Sequence, residues 1–304
     1  MNMVVSHWSA NPVVLAACLV AAVAHLLGVR AAAARDAAAG GARPAGRVRE
    51  AAVFHAGLLL VLLALASPLG YWSGIYIWAR SLQDLLLALV GPGLIVLGAP
   101  WQPLRAGLRI PARPSGAGPD EPDRRPAHGW LTVPAGVAIG YNLLWLGWHL
   151  PVLYDASARH LLVGAAEVVT YLGGGILLWL QLIGSRPHTP AFAPIYRVMM
   201  LAGTMVTGTV LGMFLVFGSG MIYPGYRTAL HLHPYSVVVD QQVGGAVLWL
   251  LAMPALLITG VALLIQWLND EEAEAASSGL DRIIRPPKPV WPAPARKPVT
   301  RITR

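Results

Sequence analysis

The sequence predicts an all-α, polytopic membrane protein: a bundle of seven transmembrane helices with the N-terminus outside and the C-terminus in the cytoplasm. Hydrophobic residues make up 56% of the 304 residues and charged residues only 12%, whereas a soluble domain carries about 25% charged residues. Apolar runs of about 20 residues recur, and each can cross a ~30 Å hydrocarbon core. With no water to bond the backbone there, these runs must be helical.

The predicted spans follow directly from the apolar runs. A transmembrane domain occupies residues 1–268, and residues 269–304 form a basic, Pro-rich segment that we expect to be a disordered cytoplasmic tail. The seven runs cover residues 12–33, 51–70, 79–99, 130–150, 160–183, 196–218 and 242–268.

The orientation follows from the basic residues. Of the 22 Lys and Arg residues, 19 fall in the first, third and fifth connections and in the C-terminal tail, and the positive-inside rule places these segments in the cytoplasm. The net charge of +8 is therefore a topology signal together with a tail suited to anionic lipid, and it does not argue for nucleic acid. Arginine outnumbers lysine 20 to 2, which fits a GC-rich bacterial genome and hence a bacterial plasma membrane.

The third span carries polar residues at its start. Arg80 and Asp84 are separated by one helical turn, with Gln83 beside them, so the two charges lie on one helix face and can neutralise each other. Charges inside an apolar run are costly and indicate a functional site. Further along the same run, Pro92 removes a helix hydrogen bond and predicts a kink.

Other polar residues share the predicted outer level of the membrane. Imidazoles and carboxylates at one depth can bind a metal, relay protons or pair with one another. The predicted intramembrane polar site is Arg80, Gln83, Asp84, Glu167, Asp240 and Gln241, and the candidate metal ligands are His149, His160, His231 and His233.

Two histidines lie apart from this level, in the first two spans. His25 and His55 fall in the predicted cytoplasmic half, where they suit packing or a shared polar contact, and haem ligation by the pair stays open. The sequence holds no hydrolase, Walker or dinucleotide-binding motif.

Several short motifs over residues 45–268 occur in a consistent order on the predicted helices. With them the chain resembles the CtaG-type cytochrome c oxidase assembly factors, a seven-helix bacterial membrane family. The motifs are Ser67-Pro68-Leu69, Gln83 to Leu87 followed by Gly91-Pro92, Leu97 to Pro100, Trp148 to Pro151 with Leu153-Tyr154-Asp155, Glu167 ahead of Gly175 and Trp179, and Asp240 to Gly245.

The resemblance implies a role in maturing cytochrome c oxidase, through delivery or insertion of copper at the outer membrane face. The family usually has two histidines four residues apart at the start of the third helix, where this chain has Arg80 and Asp84, and histidines around the glutamate of the fifth helix, where it has Gly164 and Val168. A guanidinium cannot ligate copper and repels a cation. The change resembles a metal site converted into an internal salt bridge.

Three functions are compatible with these residues, none of them enzymatic. The first is an oxidase assembly factor that handles copper through His149, His160, His231 and His233. The second is a metal-free membrane scaffold that binds an oxidase subunit or another assembly protein. The third is a small-molecule or proton-coupled transporter using Asp84, Glu167 and Asp240, which lacks support because the sequence has no evident inverted repeat with broken helices.

The predicted orientation can be checked with a reporter. A fusion placed after Arg304 should report a cytoplasmic location, because the basic connections lie on that side. A periplasmic signal from this fusion would contradict both the orientation and the outer placement of the polar site.

Overall fold

The computed structural model of the protein describes residues 12–38, 45–111, 134–190, 192–228 and 236–284. In this part of the chain every regular element is helical, as the sequence predicts. The α-helices are α1 Pro12–Ala38, α2 Ala45–Ala66, α3 Pro68–Trp72, α4 Ile77–Leu85, α5 Gly91–Leu97, α6 Trp101–Gly107, α7 Pro134–Trp148, α8 Pro151–Arg159, α9 Leu161–Leu182, α10 Pro194–Phe217 and α11 Val237–Ile284.

Among the described residues, six helices are long and apolar enough to cross a membrane: α1, α2, the continuous rod from α4 to α5, α9, α10 and the part of α11 up to Ala273. The chain is therefore a multi-pass membrane protein. The predicted span 130–150 corresponds to α7, which has 15 described residues and a length of about 22 Å. Because α7 is shorter than the hydrocarbon core, the count of seven spans stays a prediction, as does the orientation.

The predicted third span is the centre of the bundle. It runs from Ile77 to Leu97, and 67% of its apolar window is buried, against 17–28% in the other five spans. Helices α2, α9 and α11 all pack against it. Because protein surrounds this span on several sides, its polar residues are shielded from lipid.

The rod changes geometry where the sequence predicts a kink. Residues Leu86–Val90 form a π-helical turn, and the N–H of Gly91 bonds to the carbonyl of Leu86, five residues earlier. Pro92 has no N–H for the carbonyl of Ala88. That carbonyl instead accepts a hydrogen bond from the Tyr141 hydroxyl at 3.1 Å.

Neighbouring side chains also bond other carbonyls of the rod. Trp179 Nε1 donates to the carbonyl of Leu89 at 2.8 Å, and Ser185 Oγ donates to that of Val96 at 2.6 Å. An unbonded carbonyl in hydrocarbon costs several kcal/mol. These contacts therefore allow an irregular helix to lie at the centre of a membrane bundle.

The last helix continues beyond the predicted domain boundary. The sequence predicts a disordered tail from residue 269, but α11 extends to Ile284. The segment Asn269 to Ala276 is rich in Glu and Ala, which favour helix even outside the membrane. Residues 285–304 lie outside the described residues, and their predicted disorder is untested.

The close packing of α9 on the rod gives a stability prediction. A Cβ at Gly175 would lie 2.3 Å from the carbonyl oxygen of Ala88 and 2.7 Å from Pro92 Cγ, whereas one at Gly173 would meet no atom within 4 Å. We expect Gly175→Ala to lower stability by about 1–3 kcal/mol through overpacking. The control, Gly173→Ala, should be neutral or slightly stabilising.

Thermal unfolding of the purified protein in detergent measures both variants. Equal melting temperatures for Gly175→Ala and the parent would show that α9 does not pack this closely on the rod.

Candidate functional site

Arg80 lies at the centre of a buried polar cluster, at the end of the bundle predicted to face outside. Its Nε lies 3.1 Å from Asp84 Oδ1, its Nη2 pairs with Glu167 on α9, and the same nitrogen donates to Ser157 Oγ at 2.6 Å. Only 6% of Arg80, 1% of Asp84 and 3% of Glu167 is exposed. The predicted Arg80–Asp84 ion pair is therefore present and faces protein.

Helix α8 contributes a second contact to the guanidinium. The Tyr154 ring lies below Arg80, with 5.4 Å between the guanidinium carbon and the ring centroid, a cation–π arrangement. Ser157 Oγ also donates to the Tyr154 carbonyl at 3.0 Å. We call Arg80, Asp84, His149, Tyr154, Ser157 and Glu167 the Arg80 cluster.

Ser157 is not among the site residues predicted from the sequence. A signal for it exists, because Pro151 starts the short helix α8 and residues 154 and 157 are three apart, so they share one helix face. Recognising that face as directed toward Arg80 requires the tertiary structure.

His149 follows α7 and is 5% exposed. Its Nδ1 lies 2.8 Å from the Trp145 carbonyl. A carbonyl only accepts hydrogen bonds, so Nδ1 carries the proton and the neutral ring keeps its lone pair on Nε2. This Nε2 lies 4.0 Å from Asp84 Oδ2, and neither atom has a hydrogen-bond partner. Two acceptors thus face each other inside the bundle.

Residues 218–228, which follow α10 and which we call the covering segment, cover this end of the cluster. Tyr223 stacks on Tyr154 with 4.0 Å between ring centroids, and its hydroxyl donates to the His149 carbonyl at 3.1 Å. The Tyr226 hydroxyl donates to the Ser73 carbonyl at 2.7 Å. Burial raises the pKa of Tyr154, Tyr223 and Tyr226, so these phenols stay protonated near neutral pH.

The structure assigns backbone contacts to the other predicted polar residues. Asp240 on α11 accepts hydrogen bonds from the N–H groups of Ile77 at 2.7 Å and Trp78 at 3.3 Å. A carboxylate at this position caps the N-terminus of α4 and matches its dipole. Gln241 accepts from the N–H of Ile222 at 2.8 Å and so holds the covering segment in place.

Gln83 bonds a carbonyl that a proline leaves without its helix donor. Pro68 follows α2 and has no N–H for the carbonyl of Ala64. Gln83 Nε2 donates to that carbonyl at 2.7 Å. Gln83 therefore links the third span to α2.

A cavity of about 280 Å³ adjoins the cluster and is lined in part by Arg80, Gln83, Asp84, Glu167 and Tyr171. Asp84 Oδ2, Glu167 Oε1 and the Tyr171 hydroxyl are buried without a hydrogen-bond partner. Unbonded acceptors at a cavity suit a proton, a cation or a small hydrogen-bond donor.

The structure describes two of the four predicted metal ligands, His149 and His160, in different surroundings. His149 belongs to the buried cluster, whereas His160 is exposed immediately before α9. His231 and His233 lie outside the described residues. Within the described part of the chain, no group of three or more His, Cys, Asp or Glu side chains is arranged to hold a metal ion.

The two remaining intramembrane histidines do meet. The rings of His25 on α1 and His55 on α2 lie 5.1 Å apart, edge to face, and the ring of Phe54 lies 4.4 Å from that of His25. Of the two predicted alternatives the structure shows packing, as part of an aromatic group, because His25 Nδ1 and His55 Nε2 have no hydrogen-bond partner among the described residues.

The fold and the cluster define a class: a multi-pass helical membrane protein that buries an arginine between carboxylates of two spans. A family model described as cytochrome c oxidase caa3 assembly factor (Caa3_CtaG) matches residues 23–270. The chain belongs to this family, and the resemblance inferred from its motifs is confirmed. Neither a curated protein nor a solved structure matches the chain.

The buried ion pairs give a prediction for Asp84. Asp84→Asn removes one of the two carboxylates that pair with Arg80 and leaves Glu167 as its ionic partner, and breaking a buried ion pair costs up to about 3–5 kcal/mol. We therefore expect Asp84→Asn to reduce both the yield and the melting temperature of the protein. The control is Asp36→Asn, whose pair with Arg47 is partly solvated and should contribute about 1 kcal/mol or less.

Yield and thermal unfolding in detergent compare the two variants. Parent-like behaviour of Asp84→Asn would mean that the guanidinium does not depend on this carboxylate.

Proposed function

We propose that this protein assists the assembly of cytochrome c oxidase in the bacterial plasma membrane, as a non-catalytic scaffold that needs no metal. Its partner is an oxidase subunit or another assembly protein. Membership of the assembly-factor family supports the first part. The single observation that supports a metal-free role is the position of the Arg80 guanidinium between Asp84 and Glu167.

The chemistry of this position disfavours copper. A guanidinium offers only N–H donors and no lone pair, and it remains charged at any relevant pH. Arg80 engages Asp84, Glu167 and Ser157 at once, so it fills the place that a cation would take between the carboxylates. The same groups stabilise the bundle as an internal salt bridge between α4, α8 and α9.

A partner could approach at the same end of the bundle. Large apolar side chains are exposed around the start of α9 and on α8, with Leu161 82%, Leu162 83% and Val152 79% exposed. Exposed apolar surface on a membrane protein contacts lipid or another protein. Its position next to the Arg80 cluster makes it a reasonable surface for an oxidase subunit.

Copper handling is the second candidate, and His149 favours it. A histidine that donates Nδ1–H to a carbonyl and keeps Nε2 free has the arrangement of a typical metal ligand. On this proposal copper is a cargo passed to the oxidase by a respiratory-chain chaperone, and His160, His231 and His233 are the remaining candidate ligands. Imidazole nitrogen suits copper in either oxidation state.

Copper content separates the two proposals. The purified full-length protein is incubated with Cu(I) under reducing conditions, desalted and assayed for bound copper. A scaffold should retain well below one copper per chain. A copper carrier should retain about one, and His149→Ala or the double change His231→Ala and His233→Ala should remove it. The control is His188→Ala, an exposed histidine on the loop between α9 and α10.

The same variants are then tested in a host that lacks the gene. If the parent restores oxidase activity and the haem and copper signals of the oxidase while it retains no copper, the scaffold proposal holds. Stoichiometric copper lost in the histidine variants, with oxidase lost in parallel, would overturn it in favour of copper delivery. A parent that does not restore the oxidase would overturn the assembly role in this chain.

A further inference from the structure

A second cavity, of about 400 Å³, lies between the rod and helices α9, α10 and α11. Most of its wall is apolar and includes Leu94, Leu97, Ile258 and Leu263. Leu97 is 52% and Ile258 70% exposed. The cavity is therefore a groove that opens on the lipid-facing surface of the bundle.

One charged side chain interrupts this apolar wall. Arg197 lies one turn into α10 and is 5% exposed. Its Nη1 donates to the Leu182 carbonyl at 3.0 Å and its Nη2 to Gln266 Oε1 at 3.3 Å. Its Nε is buried without a hydrogen-bond partner. Both direct partners are neutral, and the exposed Asp270 on α11, which acts on the guanidinium electrostatically, forms no ion pair with it.

The position of Arg197 along the helix matches the depth of lipid headgroups. Pro194 is the first residue of α10, so Arg197 lies near a membrane boundary, at the end of the bundle opposite the Arg80 cluster. The sequence places this end in the cytoplasm, where the leaflet is rich in anionic lipid and basic pockets between helices bind acidic headgroups.

We propose that this groove binds one acidic phospholipid, with its phosphate at Arg197 and an acyl chain along Leu94, Leu97, Ile258 and Leu263. The phosphate supplies the acceptor that Nε lacks and the negative charge that the neutral partners do not provide. The chain fills an apolar volume that the protein leaves open to the bilayer. The groove is thus a binding site separate from the Arg80 cluster.

The first experiment needs no variant. The full-length protein is purified in detergent and titrated with phosphatidylglycerol or with phosphatidylcholine carrying the same acyl chains, and native mass spectrometry counts the bound lipid. We expect one phosphatidylglycerol to bind roughly tenfold or more tightly than phosphatidylcholine, and to raise the melting temperature. Equal binding of the two lipids would overturn the proposal, because charge would then play no part.

Variants then locate the site. Arg197→Gln should lose most of the preference for phosphatidylglycerol, whereas Arg197→Lys should keep part of it. Ala262→Trp fills the groove from the wall without altering Arg197 and should block the lipid. The charge-matched control is Arg30→Gln, which removes an exposed arginine of α1 and should bind as the parent does.

Two results would contradict the assignment of the site. One is a preference for phosphatidylglycerol that survives in both Arg197→Gln and Ala262→Trp. The other is a preference lost equally in Arg30→Gln, since the effect would then come from overall charge. If Arg197→Gln yields no folded protein, Ala262→Trp alone tests the position of the lipid site. This change fills an exposed position and leaves the hydrogen bonds of Arg197 intact.

Discussion

The burial of one guanidinium constrains this end of the bundle. A charge in a low-dielectric interior requires opposite charge and hydrogen bonds within contact distance. Arg80 obtains them from its own helix through Asp84, from α9 through Glu167 and from α8 through Ser157 and Tyr154. Helix α4 must therefore meet the consecutive helices α8 and α9, whose contact residues lie 77 and 87 residues further along the chain. The covering segment packs on this point through Tyr223.

A second constraint acts on the backbone of the rod and of α2. Prolines remove donors that helix carbonyls would otherwise use, and hydrocarbon offers no substitute. Gln83 donates to the carbonyl of Ala64, which Pro68 leaves without a helix donor. Tyr141 donates to the carbonyl of Ala88, which Pro92 leaves without one. These polar side chains are thus explained by backbone chemistry, and they need no ligand to account for their burial.

The sequence predicted what depends on local pattern. Apolar runs located the spans, and the spacing of Arg80 and Asp84 located the ion pair, because hydrophobic length and helical periodicity are both encoded within about 20 residues. Glu167 was selected as an intramembrane charge, but its pairing with Arg80 joins residues 87 apart. No local period encodes such a contact. Asp240 was likewise selected for its charge, whereas its contacts show a helix cap.

The prediction of helix ends is limited by a similar cause. Apolarity marks where a helix leaves the membrane, but it does not mark where the helix ends. The boundary predicted at residue 268 followed the loss of apolar residues, whereas α11 stays helical to Ile284, because Glu and Ala favour helix whatever the apolarity of the segment. For α7 the described residues begin at Pro134, inside the predicted run 130–150, so the start of that span stays a prediction.

The Arg80 cluster also bears on how an assembly factor could work without the histidine pair of its family. One guanidinium faces two carboxylic side chains, and Asp84 Oδ2 faces the free Nε2 of His149 at 4.0 Å. Two acceptors at this separation repel unless a proton or a cation lies near them. A shared proton needs only these two atoms, whereas a copper ion needs further ligands, and within the described residues no group of three or more His, Cys, Asp or Glu side chains is arranged to supply them. A shared proton therefore suits this contact better than a copper ion does, which supports the proposed metal-free scaffold over the proposed copper carrier.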